Sequence, residues 1–224
     1  MKNVIAFGDC IPRGVISLDS VKTKKIDRSD GIIGEIMHIT HTNISNNCIR
    51  RSGLCRSGCH RFPNEQKPNP NNSVVHQVLN TDLSDYDTVL IFMSSNDWGL
   101  NAPLGTNNST DTFTYYGALN TIFSHLQNLH KKVFCITCLC RSSYQKHPIR
   151  NCWRFENIRG ITLNLLCDIF IRKCREHNFP VLDLRQYKEI NVETTKETLL
   201  DSLHPTLKAA RDLDKYIGNW IKQN

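Results

Sequence analysis

No stretch of this 224-residue chain is apolar for long enough to cross a bilayer, so a membrane span is not expected. Its opening residues, MKNVIAFGD, reach an aspartate before the core of a secretory signal can form. The expected setting is therefore reducing and cytoplasmic, with the ten cysteines mostly free thiols. No internal repeat is visible. Basic residues outnumber acidic ones, 28 to 21, but Lys22, Lys24 and Lys25, and again Arg50, Arg51, Arg56 and Arg61, have almost no aromatics among them. That composition argues against a nucleic-acid partner; a solvated basic face is the expected reading, with an anionic substrate or surface as the alternative.

What is present is an alternation of two patterns. Short, almost continuously apolar runs occur at Asn3–Gly8, Glu35–Thr42, Asp87–Ser95, Lys132–Cys140 and Phe179–Leu184, as expected for strands covered on both faces. Helical spacing marks Leu119, Ile122, Phe123, Leu126 and Leu129, then Leu163, Leu166, Ile169, Phe170 and Cys174, and finally Leu207, Ala210, Leu213, Ile217 and Trp220. Strands alternating with helices predict a parallel sheet in a three-layer α/β/α arrangement, with residues 1–224 forming one domain. Residues 43–75 and 141–155 read as long irregular excursions.

In such a sheet, ligands bind beyond the carboxyl ends of the strands. The first predicted strand ends in Gly8-Asp9-Cys10 and the third in Ser94-Ser95-Asn96-Asp97, while Asp201-Ser202-Leu203-His204-Pro205 lies near the C-terminus. A thiol becomes a nucleophile when an imidazole takes its proton, and the imidazole needs a carboxylate to fix its tautomer. An amide and a backbone N–H can then hold a developing oxyanion. Taken singly, each segment is an ordinary turn or helix cap; their order and placement together are what point to a site.

The combination resembles the SGNH hydrolases, the GDSL family of esterases and lipases. Phe7-Gly8-Asp9-Cys10 matches that family's first block with cysteine in place of serine. Asn96-Asp97 matches part of the third block, and Asp201-x-x-His204-Pro205 matches the fifth in full. The resemblance implies a five-stranded, flavodoxin-like α/β/α sandwich. It implies Cys10 as nucleophile, His204 as general base and Asp201 as its orienting group. The oxyanion would be held by the Cys10 N–H and Asn96, with Asn46 as the donor from the second block and Gly53 and Gly58 as competing positions. Asp9, Asp97 and Trp98 are candidates for substrate contact; by their placement near or beyond strand ends Trp98, Trp153 and Tyr144 could line an acyl or sugar pocket, with core or loop packing as the alternative. The implied substrate is a small-molecule, glycan or lipid acyl ester, with acyl transfer to another acceptor as a variant; no cofactor or metal is required. Ser94 in place of the third block's glycine and Ala209 after the histidine are smaller departures. A G-x-S-x-G elbow, which would place the nucleophile on a central strand, is absent.

Three further readings accompany this one. Cys48, Cys55, Cys59 and His60 hold potential zinc ligands, but the spacing is unfamiliar and free loop thiols are expected. Cys135, Cys138 and Cys140 read as buried small residues on one strand. Against the enzyme stands a silent binding protein on the same fold, engaging a partner through the basic loop from Arg50 to Arg61.

Overall fold

The computed structural model describes residues 3–26, 32–61, 67–141, 156–191 and 194–224. Five strands, β1 (Val4–Phe7), β4 (Ile44–Asn46), β5 (Thr88–Phe92), β6 (Lys132–Ile136) and β7 (Val181–Leu182), form one sheet. All its pairings are parallel, in the order β4-β1-β5-β6-β7. Numbered along the chain within that sheet, the order is 2-1-3-4-5, the flavodoxin-like arrangement, whose direction of winding reverses between β1 and β5. A small antiparallel hairpin, β2 (Val15–Ser17) with β3 (Thr23–Lys25), follows the first strand.

Helices cover both faces. Successive residues of β6 show this directly, because side chains alternate across a strand. Phe134 meets Trp220 of α7 (Leu207–Gln223), with ring centroids 5.7 Å apart. The next residue, Cys135, has its thiol hydrogen-bonded to that of Cys174 on α5 (Leu163–Glu176). Helix α1 (Ile32–Thr40) packs on α7 in one layer, while α2 (Val74–Asn80), α4 (Tyr115–Asn128) and α5 make the other. Each of α2, α4, α5 and α7 starts at a Ser or Thr whose hydroxyl accepts from an N–H in the first turn: Ser73, Thr114, Thr162 and Thr206. Where α4 meets α5, Phe123 packs edge-on against Phe170, and likewise against Phe179, at 6.0 and 5.5 Å.

Two strand expectations are corrected. Glu35–Thr42 is mostly helix α1, and the second strand of the sheet is Ile44–Asn46 instead. The buried residues Ile32, Ile33 and Ile36 have helical spacing, and they lie against a helix whose Gly218 leaves room for Ile39. Strand β6 stops at Ile136, so Cys138 and Cys140 lie beyond it in the chain that follows; both are buried, as is Cys135. The excursion over residues 43–75 contains β4 and ends in the start of α2. Of the second, only residue 141 is described, so Tyr144 and Trp153 lie outside the described residues.

One buried group works against the fold. Asp214 on α7 is wholly buried, and neither of its carboxylate oxygens has a hydrogen-bond partner. Burial, reinforced by the charges of Glu35 and Asp212, pushes its pKa up to about 9. Such a group lends most relative stability below the ordinary carboxylate range, about pH 4, and loses it as pH rises towards 9, by ~1.4 kcal/mol per pH unit. The urea midpoint of the protein should therefore fall between pH 5 and pH 8 relative to that of Asp214→Asn. Parallel midpoints for the two proteins would show that Asp214 does not carry this cost.

Candidate active site

The site begins with a turn that only glycine permits. Strand β1 is followed by Gly8, where a Cβ would come within 2.7 Å of Pro12 Cγ and 2.8 Å of Phe92 Cβ. The chain can therefore bend tightly past the end of β5 and set Cys10 at the sheet's carboxyl edge. Asp9 fixes the bend: Oδ1 accepts from the N–H of Ile11 at 3.0 Å, and Oδ2 lies 2.8 Å from Ser94 Oγ at the end of β5. The carbonyl of Cys10 accepts from Val15 N–H at 2.9 Å, leading the chain into β2.

That hairpin carries the second half of the site. Ser17 Oγ donates to the carbonyl of His204 at 2.8 Å, and Ser17 N–H donates to that of Pro205 at 2.9 Å. The C-terminal turn is thus clamped onto β2, with Ser202 in a left-handed conformation at φ 66°. Within the turn Asp201 Oδ1 accepts from the N–H groups of Leu203 and His204, at 3.1 and 2.7 Å. Its other oxygen lies 2.6 Å from His204 Nδ1, and His204 Nε2 lies 3.0 Å from Cys10 Sγ. Carboxylate, imidazole and thiol form one line across residues 194 positions apart. Burial raises the pKa of Asp201, but hydrogen bonds and the charge of His204 outweigh it and hold Asp201 below its ordinary range. Burial, aided by the charge of Asp9, pushes the Cys10 thiol well above its ordinary value; its own backbone N–H, hydrogen-bonded to the sulfur, and Arg141 oppose this without reversing it.

Asn96 completes the group. It opens α3 (Asn96–Gly99), and its Nδ2 donates to the carbonyl of Ser52 at 2.9 Å. Ser52 Oγ donates in turn to the carbonyl of Gly8 at 2.9 Å, linking the loop after β4 to the turn that carries Cys10. Cys10, Asn96, Asp201 and His204 all line one cleft of about 1120 Å³.

Four other residues do not line it. Asn46 ends β4, with Nδ2 donating to Pro12 carbonyl at 3.1 Å and Oδ1 accepting from Cys48 N–H at 3.0 Å. Asp9 is occupied as described. Asp97 faces inward: Oδ2 accepts from Leu54 N–H at 2.7 Å, and Oδ1 from Cys55 N–H at 3.1 Å and its thiol at 3.0 Å. Burial raises its pKa to about 6 against these hydrogen bonds. Gly53 and Gly58 serve this peg, since a Cβ at either would strike Asp97 Oδ1. Trp98 is buried, with its indole N–H on the carbonyl of Ile161 at 3.1 Å. Asp9, Asp97 and Trp98 are thus held in structural contacts away from the cleft lining, and the side chain of Asn46 is tied to Pro12 and Cys48.

The loop thiols also separate. Cys55 turns to Asp97, Cys48 to the carbonyl of Ala6 at 3.7 Å and Cys59 to the carbonyl of Cys55 at 3.8 Å, while His60 lines the cleft. Among the described residues no group of His, Cys, Asp and Glu is arranged to hold a metal ion.

Sequence reasoning names Arg50, Arg51 and Arg61 as a basic cluster without placing them in the cleft, and it missed Arg141 after β6. Arg141 follows the fourth strand of the sheet, so the rule that sends ligands to strand carboxyl ends would have found it. Arg51 is left-handed, at φ 64°, which its residue type does not advertise. Ser17 carries no sequence signal at all.

No protein-family model matches the chain, and none of the curated proteins matches it by sequence. Solved structures do match. A protein from Lactobacillus plantarum superimposes with a TM-score of 0.74 at 18% identity, covering 100% of this chain and 97% of the other. An aryl esterase of M. smegmatis matches with a TM-score of 0.64 at 12% identity, covering 100% and 99%. A carbohydrate acetylesterase family member from Sinorhizobium meliloti matches with a TM-score of 0.62 at 12% identity, covering 100% and 98%. Others are described as GDSL-like lipases, from Bacteroides species. With its parallel five-stranded sheet and these neighbours over its whole length, the chain has the SGNH/GDSL hydrolase fold.

Proposed function

We propose that the protein is an ester hydrolase of the SGNH type, with Cys10 as nucleophile, His204 as general base and Asp201 as the group that orients His204. The observation that carries this reading is the continuous line from Asp201 Oδ2 to His204 Nδ1 (2.6 Å) and from His204 Nε2 to Cys10 Sγ (3.0 Å). Ester chemistry is also what the neighbours named as an aryl esterase and an acetylesterase perform, by their names.

The buried thiol enters the reaction protonated, because burial disfavours a resting thiolate. As Sγ attacks the ester carbonyl carbon, its proton passes to His204 Nε2 and Asp201 stabilises the imidazolium. The carbonyl π electrons move onto oxygen, which accepts from the N–H of Cys10 and from Asn96. An amide group has two N–H donors; Ser52 engages one and thereby orients the other. Collapse reforms the carbonyl and breaks the C–O bond, and the leaving alkoxide takes the proton from His204. The thioester is then attacked by water, whose proton goes to His204. Sulfur leaves, regains that proton, and the acid is released. An alcohol in place of water gives acyl transfer by the same steps.

With 4-nitrophenyl acetate as substrate, His204→Ala should lower kcat by ~10²–10⁴, and Cys10→Ala should abolish nitrophenolate release above the background rate. Retained turnover in Cys10→Ala would overturn Cys10 as the nucleophile, whereas silence of both the unaltered protein and Cys10→Ser would move the reading to the silent binding protein. The protonation state has its own test. Alkylation of Cys10 by iodoacetamide, followed by peptide mass mapping, should keep accelerating from pH 6 through pH 9. A rate already level at pH 6 would reveal a preformed thiolate instead.

A further inference from the structure

The cleft is cationic beyond anything the triad needs. Arg50, Arg51, Arg61 and Arg141 all line it, and His60 lies among them. Among the described residues that line it, the one carboxylate is Asp201, already committed to His204 at 2.6 Å and to two backbone N–H groups. Sequence clustering alone does not produce this convergence. Arg56, from the same basic loop, turns elsewhere, to His76 Nδ1 at 3.3 Å and over the ring of Phe113. Lys24 and Lys25 of the neighbouring hairpin do not line the cleft either.

The arginines are arranged rather than scattered. Arg51 Nη1 donates to the carbonyl of Arg61 at 2.7 Å, so one guanidinium holds the backbone that bears the next. Arg141 is buried, donates to the carbonyl of Ser95 at 3.3 Å and lies over the ring of Trp98, where Gly99 leaves room for its guanidinium. Arg50 and Arg61 are exposed at the cleft. Like charges gathered in a concave site repel one another, and an anion bound between them relieves that repulsion. Guanidinium forks match the oxygens of carboxylates and phosphates two at a time, which lysine cannot do. The remaining wall, Ser20, Val21, Thr23, Leu200 and Leu203 among it, is uncharged.

We propose that the ester cleaved at Cys10 is an anion, whose carboxylate or phosphate group is held by Arg50 and Arg61 while its carbonyl lies against Cys10 Sγ. Arg51 acts as a positioning residue for Arg61. This inference rests on the ester-hydrolase reading above and names the substrate class for it.

Two matched pairs of esters test it and distinguish which side of the ester bears the charge. Mono(4-nitrophenyl) adipate is compared with its methyl ester, and 4-acetoxybenzoate with its methyl ester. In at least one pair the acid should have a kcat/KM about tenfold or more above that of its methyl ester at low salt. That ratio should shrink in 0.5 M sodium chloride, and it should collapse towards unity in Arg50→Gln and Arg61→Gln. Equal or better turnover of both methyl esters would overturn the proposal. A complete lack of hydrolysis would count against the ester chemistry alone, so anion binding is also read without turnover. In Cys10→Ala, adipate or phosphate should raise the melting temperature saturably at millimolar concentration and constant ionic strength. The shift should be lost when Arg50→Gln and Arg61→Gln are added, and no shift with either anion would refute the anion site.

Discussion

The contact between Cys10 Sγ and His204 Nε2 is the constraint on which the rest of the site depends. A thiol and an imidazole almost a whole chain apart meet only if three things are held at once. The turn after β1 must be tight, which Gly8 allows. The turn that carries His204 must be fixed in place, which Ser17 on the hairpin does through the carbonyl of His204. The histidine ring must face the right way, which Asp201 ensures from within the same turn. Because the sheet's winding reverses between β1 and β5, the ends of these two strands open a crevice, and Cys10 and Asn96 flank it.

Holding these loops costs buried polarity. Asp9, Ser52, Ser94, Asn96 and Asp97 are all buried, and all are hydrogen-bonded to segments they must join. Satisfied networks of this kind are stiff, and leaving one member unpaired is expensive. The same burial shapes the chemistry. It disfavours a resting thiolate at Cys10, so in the proposed reaction the imidazole takes the proton during attack, as it would from a serine hydroxyl.

Legibility in the sequence followed physical locality. The Gly8-Asp9-Cys10 turn and the Asp201-x-x-His204 turn are local devices, and their residue types and spacing announce them. Helices α4, α5 and α7 were readable because their apolar spacing is regular. Helix α1 was not, since isoleucine-rich sequence suits a strand equally well, and only packing on α7 around Gly218 decides between the two. The inward hydrogen bonds of Asp97 are not legible, because a carboxylate at a strand end does not reveal that its partners are Leu54 and Cys55 from a distant loop. The arginines of the cleft were visible as charge but not as a site. A run of basic residues carries no record of which will share a concavity, and Arg56 and Arg61 differ in position rather than in type.

The measurement closest to the central claim is the intact mass of the protein after a brief reaction with 4-nitrophenyl acetate, with the adduct mapped to a peptide. Eight other described cysteines are buried as well, so the site must be located and not assumed. The account predicts a single acetyl group on Cys10 that is absent in His204→Ala. Acetylation that maps to another residue, or that forms on Cys10 equally well without His204, would contradict it.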